Sequence, residues 1–249
     1  MAYEEQIARI YDLYFPPDRS PEADLWARLA GKGSKRLLEP MIGTAEVACL
    51  LARRGYRVTG VDLSGPMLTE ARRRLASLHP PVAARIDLIE GNICTAPLPE
   101  ASFDLAYVGN GSWHLLTDRA LRVAALRSVC RSLRPGGQLA LDLFRPLTAS
   151  GRSEPRTFAP LRPAPDGVTV AKTSQVERDH LTQRMQIEEQ ITVGDESFDH
   201  RLDLQLLTPE QVREELSEAG FTGIALYGDA ELTPYGPDSP RLLVIADRA

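Results

Sequence analysis

The sequence predicts an α/β chain, with a doubly wound, seven-stranded, mostly parallel sheet and an inserted antiparallel meander. Three observations carry that prediction. Short apolar runs alternate with helix-period segments over residues 36–144, the alternation that calls for a parallel sheet with right-handed crossovers. Residues 149–167, with Pro155, Pro160, Pro163 and Pro165, break that rhythm. Three segments beyond them alternate apolar and polar residues with period two, as antiparallel strands with one buried face do.

In chain order, Ile7, Ile10, Tyr11 and Tyr14 space a helix over 3–14 that Pro16-Pro17 stops. Ser20-Pro21 opens a second helix carrying Leu25, Trp26 and Leu29. RLLEP (36–40) reads as a strand, followed by a glycine-containing turn and a helix from about Glu46 to Arg54 that ends at Gly55. YRVTGVD (56–62) is the next strand, and Ser64 caps a helix with Pro66 in its first turn and Met67, Leu68, Ala71, Leu75 and Leu78 inward. IDLIEG (86–91) and FDLAYVGN (103–110) are strands. Thr117 or Asp118 starts a helix with Leu121, Ala125 and Val129 on one face, stopped by Pro135-Gly136-Gly137, and QLALDLF (138–144) follows as a buried strand. The meander carries Val168, Val170 and Val176, then Met185, Ile187, Ile191 and Val193, then Leu202, Leu204 and Leu206. Thr208-Pro209-Glu210-Gln211 is a capping box opening a helix that closes at Gly220, and strands at 223–227 and 241–246 end the chain.

Composition narrows the function classes. The chain has 249 residues, 43% of them hydrophobic, enough for a core without disulfide staples. Its 29 Lys and Arg against 34 Asp and Glu leave a net charge of −5, without the broad positive field that drives nucleic-acid binding. Cys49, Cys94 and Cys130 form no CxxC, so reduced thiols are expected rather than a disulfide framework or a zinc site. MAYEEQIARI has no signal-peptide apolar region, and no apolar run approaches the roughly 20 residues that span a bilayer. The expectation is a cytoplasmic protein with a small-molecule substrate, no metal, and neither nucleic acid nor membrane as partner.

The stretch RLLEPMIGTAEVACLLARRGYRVTGVDLSGPML (36–68) reads strand, tight turn, helix, strand, acid. A chain turning from strand into helix exposes free backbone N–H groups, and small residues let a ligand approach them. Asp62, 19 residues after Gly43, ends the second strand, where an acid can accept both hydroxyls of a ribose. A nucleoside-containing cofactor over the carboxyl ends of the strands is therefore expected. An NAD-dependent oxidoreductase is the competing reading, but it wants G-x-G-x-x-G, which MIGTAE does not offer.

These residues resemble the first two motifs of the class I S-adenosylmethionine-dependent methyltransferases, an acid, any residue, then G-x-G-x-G. Glu39 falls on the acid and Gly43 on the central glycine, while Met41 and Ala45 replace the outer two. If the Met41 position needs φ > 0, the side chain costs about 1–2 kcal/mol there. VDLSGPML is similar to the second motif, GNI (91–93) to a G-D-apolar element with Asn92 for the acid, and FDLAYVGN with LRPGG to a fourth strand and helix stop. TPEQVREELSEAGF before YGD is similar to the C-terminal helix and strand of small-molecule members. The resemblance implies a single Rossmann-like methyltransferase domain over 1–249. Within it, 1–34 form a helical cap, 35–148 the cofactor-binding core and 168–207 a substrate cover that also offers a homodimer contact. It implies S-adenosyl-L-methionine held by Glu39, Met41, Gly43, Ala45, Asp62, Leu63, Met67, Asn92, Ile93 and Asn110.

The implied reaction is methyl transfer to an amine or hydroxyl of a small molecule by in-line displacement. Because Met41 and Ala45 erode the glycine motif, a non-catalytic cofactor-binding or partner module on the same fold stays open. His114, in GNGSWHLL, is either a packing or capping histidine or a general base, and its place is similar to that of a histidine in sugar-amine N-methyltransferases. Tyr11-Asp12-Leu13-Tyr14 is similar to a Tyr-Asp-x-x-Tyr segment shortened by one, which implies Tyr11 or Tyr14 at the reaction centre. Trp113 is either core or a substrate wall. His180, His200 and the Glu188-Glu189 pair are expected on the solvated surface of the meander, and His79 in a structural place after a helix.

Overall fold

The structure is a computed structural model that describes residues 5–14, 18–33, 35–158 and 167–249. The expected Pro16-Pro17 stop and Pro160, Pro163 and Pro165 lie outside the described residues. α1 (Glu5–Ile10) runs into a 3-10 turn at Tyr11–Tyr14, where a continuous helix was expected. α2 (Ser20–Ala30) has proline in its first turn and buries Trp26. β1 (Arg36–Pro40), α3 (Glu46–Arg53), β2 (Arg57–Asp62), α4 (Gly65–Ala76), a single turn α5 (Pro80–Ala83) and β3 (Ile86–Glu90) follow. β4 (Phe103–Val108), a 3-10 turn at Ser112–Leu115, α6 (Arg119–Ser132) and β5 (Leu133–Phe144) complete the alternating half.

Helix boundaries follow their caps. Ser64 Oγ accepts from Met67 N, Asp118 Oδ1 from Ala120 N at 2.6 Å, and Thr208 and Gln211 exchange the two bonds of a capping box. LRPGG does not precede β5 but belongs to it. Leu133 pairs with Phe103, the register then shifts, and Gly136 takes φ 72°, so Pro135-Gly136-Gly137 is absorbed as a bulge inside the strand.

The main sheet has the order β11-β12-β5-β4-β1-β2-β3, seven strands, with α7 (Pro209–Glu218) leading into β11 (Phe221–Tyr227) and β12 (Arg241–Arg248). Only β12 runs antiparallel to its neighbours. Adjacent residues of β1 serve opposite faces, Leu37 under α2 and α3 with Trp26, Leu51 and Tyr107, Leu38 under α6 and α7 with Phe103, Leu126 and Leu216. Strand order reverses between β1 and β4, so the loops leaving their carboxyl ends diverge and leave a crevice, the place where open α/β sheets bind ligands.

The second sheet is built from β6 (Gly151–Arg152), β7 (Arg156–Phe158), β8 (Val170–Asp179), β9 (Arg184–Val193) and β10 (Glu196–Gln205). β6 and β7 fall in a stretch read as irregular. They are two and three residues long and pair with β8 through the main chain, which leaves no side-chain periodicity to see. Val170 and Ile191 of this sheet pack with Ile7 and Ile10 of α1, so the N-terminal helix joins the meander to the core. Among the described residues no helix is long and apolar enough to cross a membrane.

Candidate active site

The turn after β1 is held by backbone bonds to the end of β2. Met41 N and Ile42 N both donate to Val61 O, at 2.7 and 3.2 Å. Ile42 lies so close to β2 that a Cβ on Gly60 would sit 2.0 Å from its Cδ1. Met41, Gly43 and Ala45 all lie in the left-handed region, with φ 61°, 57° and 59°. The turn is thus kept in the conformation glycines favour although two side chains stand in it. Such strain persists only where the surroundings over-determine the backbone, and it gathers at ligand sites.

Asp62 closes this turn from the other side. Its Oδ2 accepts from Gly43 N at 2.8 Å and its Oδ1 from Ser64 N at 2.9 Å. Burial raises its pKa, and the hydrogen bonds from Ser64, Gly43 and Leu63 hold the rise back. Asp62, Leu63, Met67, Asn92 and Ile93, with Met41 and Gly43, line a cavity of about 230 Å³. Asn92 Oδ1 accepts from Cys94 N at 2.9 Å, which fixes the loop after β3 that forms its far wall. Ala45 is fully buried and does not line this cavity, so it packs the turn rather than facing a ligand as the motif alignment implied.

A smaller polar cavity of about 40 Å³ lies on the other side of the turn, beside Arg19, Glu22, Glu39, Met41, Gly43 and Asn110. Glu39 Oε2 accepts from Tyr107 OH at 2.7 Å, and Tyr107 is stacked on Trp26. Burial pushes the Glu39 carboxyl up to about 8, against the Tyr107 bond and with the help of nearby Glu22. Arg19 Nε donates to Glu22 Oε2 at 3.0 Å and its guanidinium lies 3.6 Å from Glu46. Neither Arg19 nor Glu22 was singled out from the sequence. An acid in the first turn of a helix is ordinary there, and nothing local marks it as facing a cavity formed 17 residues later.

A third cavity, about 280 Å³, opens between the sheet edge and the meander. Tyr11, Asn110, Ser112, Leu115 and Phe144 form one wall, and Lys172, Ile187, Glu189, His200, Leu202 and Leu204 the other. Tyr11 and Ser112 line all three cavities, and Asn110 lines the second and third. Asn110 holds φ 53° and donates from Nδ2 to Glu22 Oε2 at 3.4 Å. Tyr14 ends the first 3-10 turn, and its side chain lies outside the described residues.

Two further expected site residues are corrected. His114 is fully buried, with Nδ1 donating to Gln205 O at 2.8 Å and Nε2 accepting from Phe144 N at 3.0 Å. Both ring nitrogens are spent on backbone, and burial depresses the pKa to about 4 against the raising effect of the Gln205 bond. A neutral imidazole so engaged joins β5 to β10 and cannot serve as a base. Trp113 is likewise in the core, packed with Val108 and Leu126, because the 3-10 turn sends Ser112 and Leu115 to the cavities and Trp113 beneath them. The meander acids divide. Glu188 is exposed and paired with Arg152, whereas Glu189 is buried and, with His200, faces the third cavity. His180 is exposed, its Nδ1 2.8 Å from Ser150 Oγ.

The strand order, the turn after β1 and the acid that ends β2 define a doubly wound α/β protein with a crevice at the carboxyl ends of its central strands. Residues 37–137 match the family described as a methyltransferase domain. The whole chain is similar in fold to the CcbJ methyltransferase from Streptomyces caelestis, with a TM-score of 0.80 and 22% identity over 99% of this chain and 100% of that one. It is similar to the glycopeptide N-methyltransferase MtfA complexed with S-adenosyl-L-methionine, with a TM-score of 0.63 and 26% identity over 93% of this chain and 95% of that one. An uncharacterized methyltransferase of Mycobacterium tuberculosis is 35% identical over 112 residues, 45% of this chain and 52% of that protein. The chain spans about half the length of the curated relatives it matches.

Proposed function

We propose that the chain binds S-adenosylmethionine around the β1 turn and methylates a small molecule held against the meander. The observation that carries this reading is the meeting of three cavities at Tyr11 and Ser112, two flanking the turn and one roofed by the second sheet. The donor set suits the cofactor. Asp62 is an acid for ribose hydroxyls, Leu63, Met67 and Ile93 are apolar walls for a base, and Glu39 is a buried carboxyl held neutral that gains by receiving a cation.

When bound, S-adenosylmethionine supplies a methyl group already activated on a sulfonium. The protein's share is positioning. Tyr11, Asn110 and Ser112 ring the junction where donor and acceptor meet, and must hold the acceptor within about 3–3.5 Å while excluding water. The apolar meander wall of Ile187, Leu202 and Leu204 supports a small, partly apolar acceptor.

Titration calorimetry with S-adenosylmethionine and S-adenosylhomocysteine tests the cofactor half, and methyl transfer across a small-molecule panel tests the other. Absence of binding at millimolar concentration, or preference for NAD, overturns the reading. Cofactor binding without transfer to any amine or hydroxyl favours the non-catalytic module.

A further inference from the structure

α6 and α7 meet through Leu126, Val129, Val212 and Leu216, and through exposed pairs of Arg119 with Glu214 and Glu218 and of Arg127 with Glu218. Beneath these, Arg122 of α6 and Glu215 of α7 form an ion pair whose side chains are only 5% and 4% exposed. Arg122 Nε donates to Glu215 Oε2 at 2.9 Å and Nη2 to Oε1 at 2.7 Å, the parallel bonds of a two-pronged fork. Nη1, on the other edge, donates to Leu116 O at 2.8 Å and Thr117 O at 3.1 Å. Helical side chains lean toward their own N-terminus, so a residue in the first turn of α6 can reach back to the loop before it. Residues 116–118 lie between the 3-10 turn and α6, outside any helix or strand, where carbonyls lack a regular partner. Leu115, Leu116 and Thr117 line the cavity of about 230 Å³, and Leu115 lines the meander cavity as well.

We infer that Arg122 and Glu215 are positioning residues for cofactor binding, which fix the loop wall shared by the cofactor cavity and the meander cavity. This rests on the reading of the 230 Å³ cavity as a seat of S-adenosylmethionine. Glu215 aims the guanidinium, the guanidinium holds the carbonyls of Leu116 and Thr117, and those residues carry the wall. Neither charged side chain lines any of the three cavities, so neither is a catalytic residue. A buried ion pair adds little stability over apolar residues of similar size, and the helix contact already has its own apolar packing and exposed pairs. What the pair adds is a rigid link from α7 to a segment that no ladder of backbone bonds holds. Arginine suits this task because its donors point along two edges of one plane, toward the carboxylate on one side and the two carbonyls on the other. The carboxylate is equally necessary. Without it the guanidinium is a buried, unpaired charge that would turn toward water and take its donors from the loop.

The test replaces both charges together, Arg122→Met with Glu215→Leu, beside the single change Arg122→Lys. The double variant leaves no charge buried alone, so it should resist urea about as well as wild type. Its dissociation constant for S-adenosylhomocysteine, from titration calorimetry, should nevertheless rise by roughly 10-fold or more, because the wall has lost the donors that hold it. Arg122→Lys keeps a charge for Glu215 but has no second edge for the carbonyls, so it should shift affinity in the same direction by a smaller factor. Amide exchange in the ligand-free protein supplies a readout that needs no cofactor. Over residues 115–121 it should quicken by roughly 10-fold or more in the double variant, while α7 keeps its wild-type protection. Cofactor affinity within twofold of wild type in the double variant overturns the inference, and so does wild-type exchange over 115–121. Joint loss of urea resistance, cofactor affinity and α7 protection would make the pair a prop for the fold and overturn it too. A wild type that binds neither S-adenosylmethionine nor S-adenosylhomocysteine sinks the methyl-transfer reading alone, and the exchange comparison still decides whether the pair holds the wall.

Discussion

Asp62 and Gly43 meet across the end of the main sheet, the glycine N–H donating to the carboxylate over 2.8 Å while Ser64 N donates to its other oxygen at 2.9 Å. One side chain thereby links both the turn after β1 and the start of α4, two segments that line the cavity of about 230 Å³. An amide at this position keeps one acceptor oxygen and turns two hydrogens on the other N–H.

Asp62→Asn is therefore expected to weaken S-adenosylhomocysteine binding by roughly 10- to 100-fold, the equivalent of one charge-assisted hydrogen bond of about 1.5–3 kcal/mol. Titration calorimetry measures it, and an affinity within twofold of wild type would contradict the role given to Asp62.

Met41 carries a side chain at φ 61°, a conformation that costs about 1–2 kcal/mol for a non-glycine residue. Met41→Gly removes that strain but gives the unfolded chain about 0.4–1 kcal/mol of added freedom. A net gain of roughly 0.5–1 kcal/mol in unfolding free energy is expected from the difference. Loss of stability in a urea titration would mean that packing of the methionine outweighs its backbone strain.

His114 titrates near 4 in the folded chain against 6.5 for an ordinary imidazole. The unfolded chain therefore binds the extra proton over that window, so the stability His114 contributes is complete above pH 6.5 and is lost as pH falls toward 4. Asp142 and Glu39, raised by burial to about 6 and about 8, slope the other way over part of this range. Comparison with His114→Gln isolates the histidine. The advantage of wild type over the variant should shrink on acidification from pH 7 to 4, by up to about 3 kcal/mol. A difference in stability that does not change with pH would show that burial does not suppress this proton.

The sheet was legible in the sequence because strand length and caps are local signals, whereas Pro135-Gly136-Gly137, read as a stop before the strand, lies inside β5. RLLEP matches β1 residue for residue, and Ser64, Asp118 and Thr208 cap where their side chains suggested. The chemistry was less legible because its decisive facts are long-range. His114 was placed correctly after β4, yet its bonds to Gln205 and Phe144 come from strands 91 and 30 residues away. Glu189 reads as half of an acidic surface pair until β8 and β10 bring Lys172 and His200 to it. Met41 looked like damage to a glycine motif, but the bonds from Met41 N and Ile42 N to Val61 O keep the turn in shape whatever side chain it carries.

Glu39 offers a further test that needs no substrate. With its pKa raised to about 8 by burial, its carboxyl is mostly protonated at pH 7 before a ligand arrives. A cation entering the small cavity beside it stabilises the carboxylate, so binding should expel the proton. Calorimetry with S-adenosylmethionine at pH 7, repeated in buffers of different ionisation enthalpy, is expected to report release of about 0.5–1 proton, falling toward zero by pH 9, where Glu39 is already ionised. Glu39→Gln removes the titrating group and should remove most of that release. Its amide can still accept from Tyr107 OH, so Tyr107 keeps a partner and the fold is expected to hold. Proton release unchanged in Glu39→Gln would place the cation away from this acid, and with it the proposed seat of the cofactor's charged end.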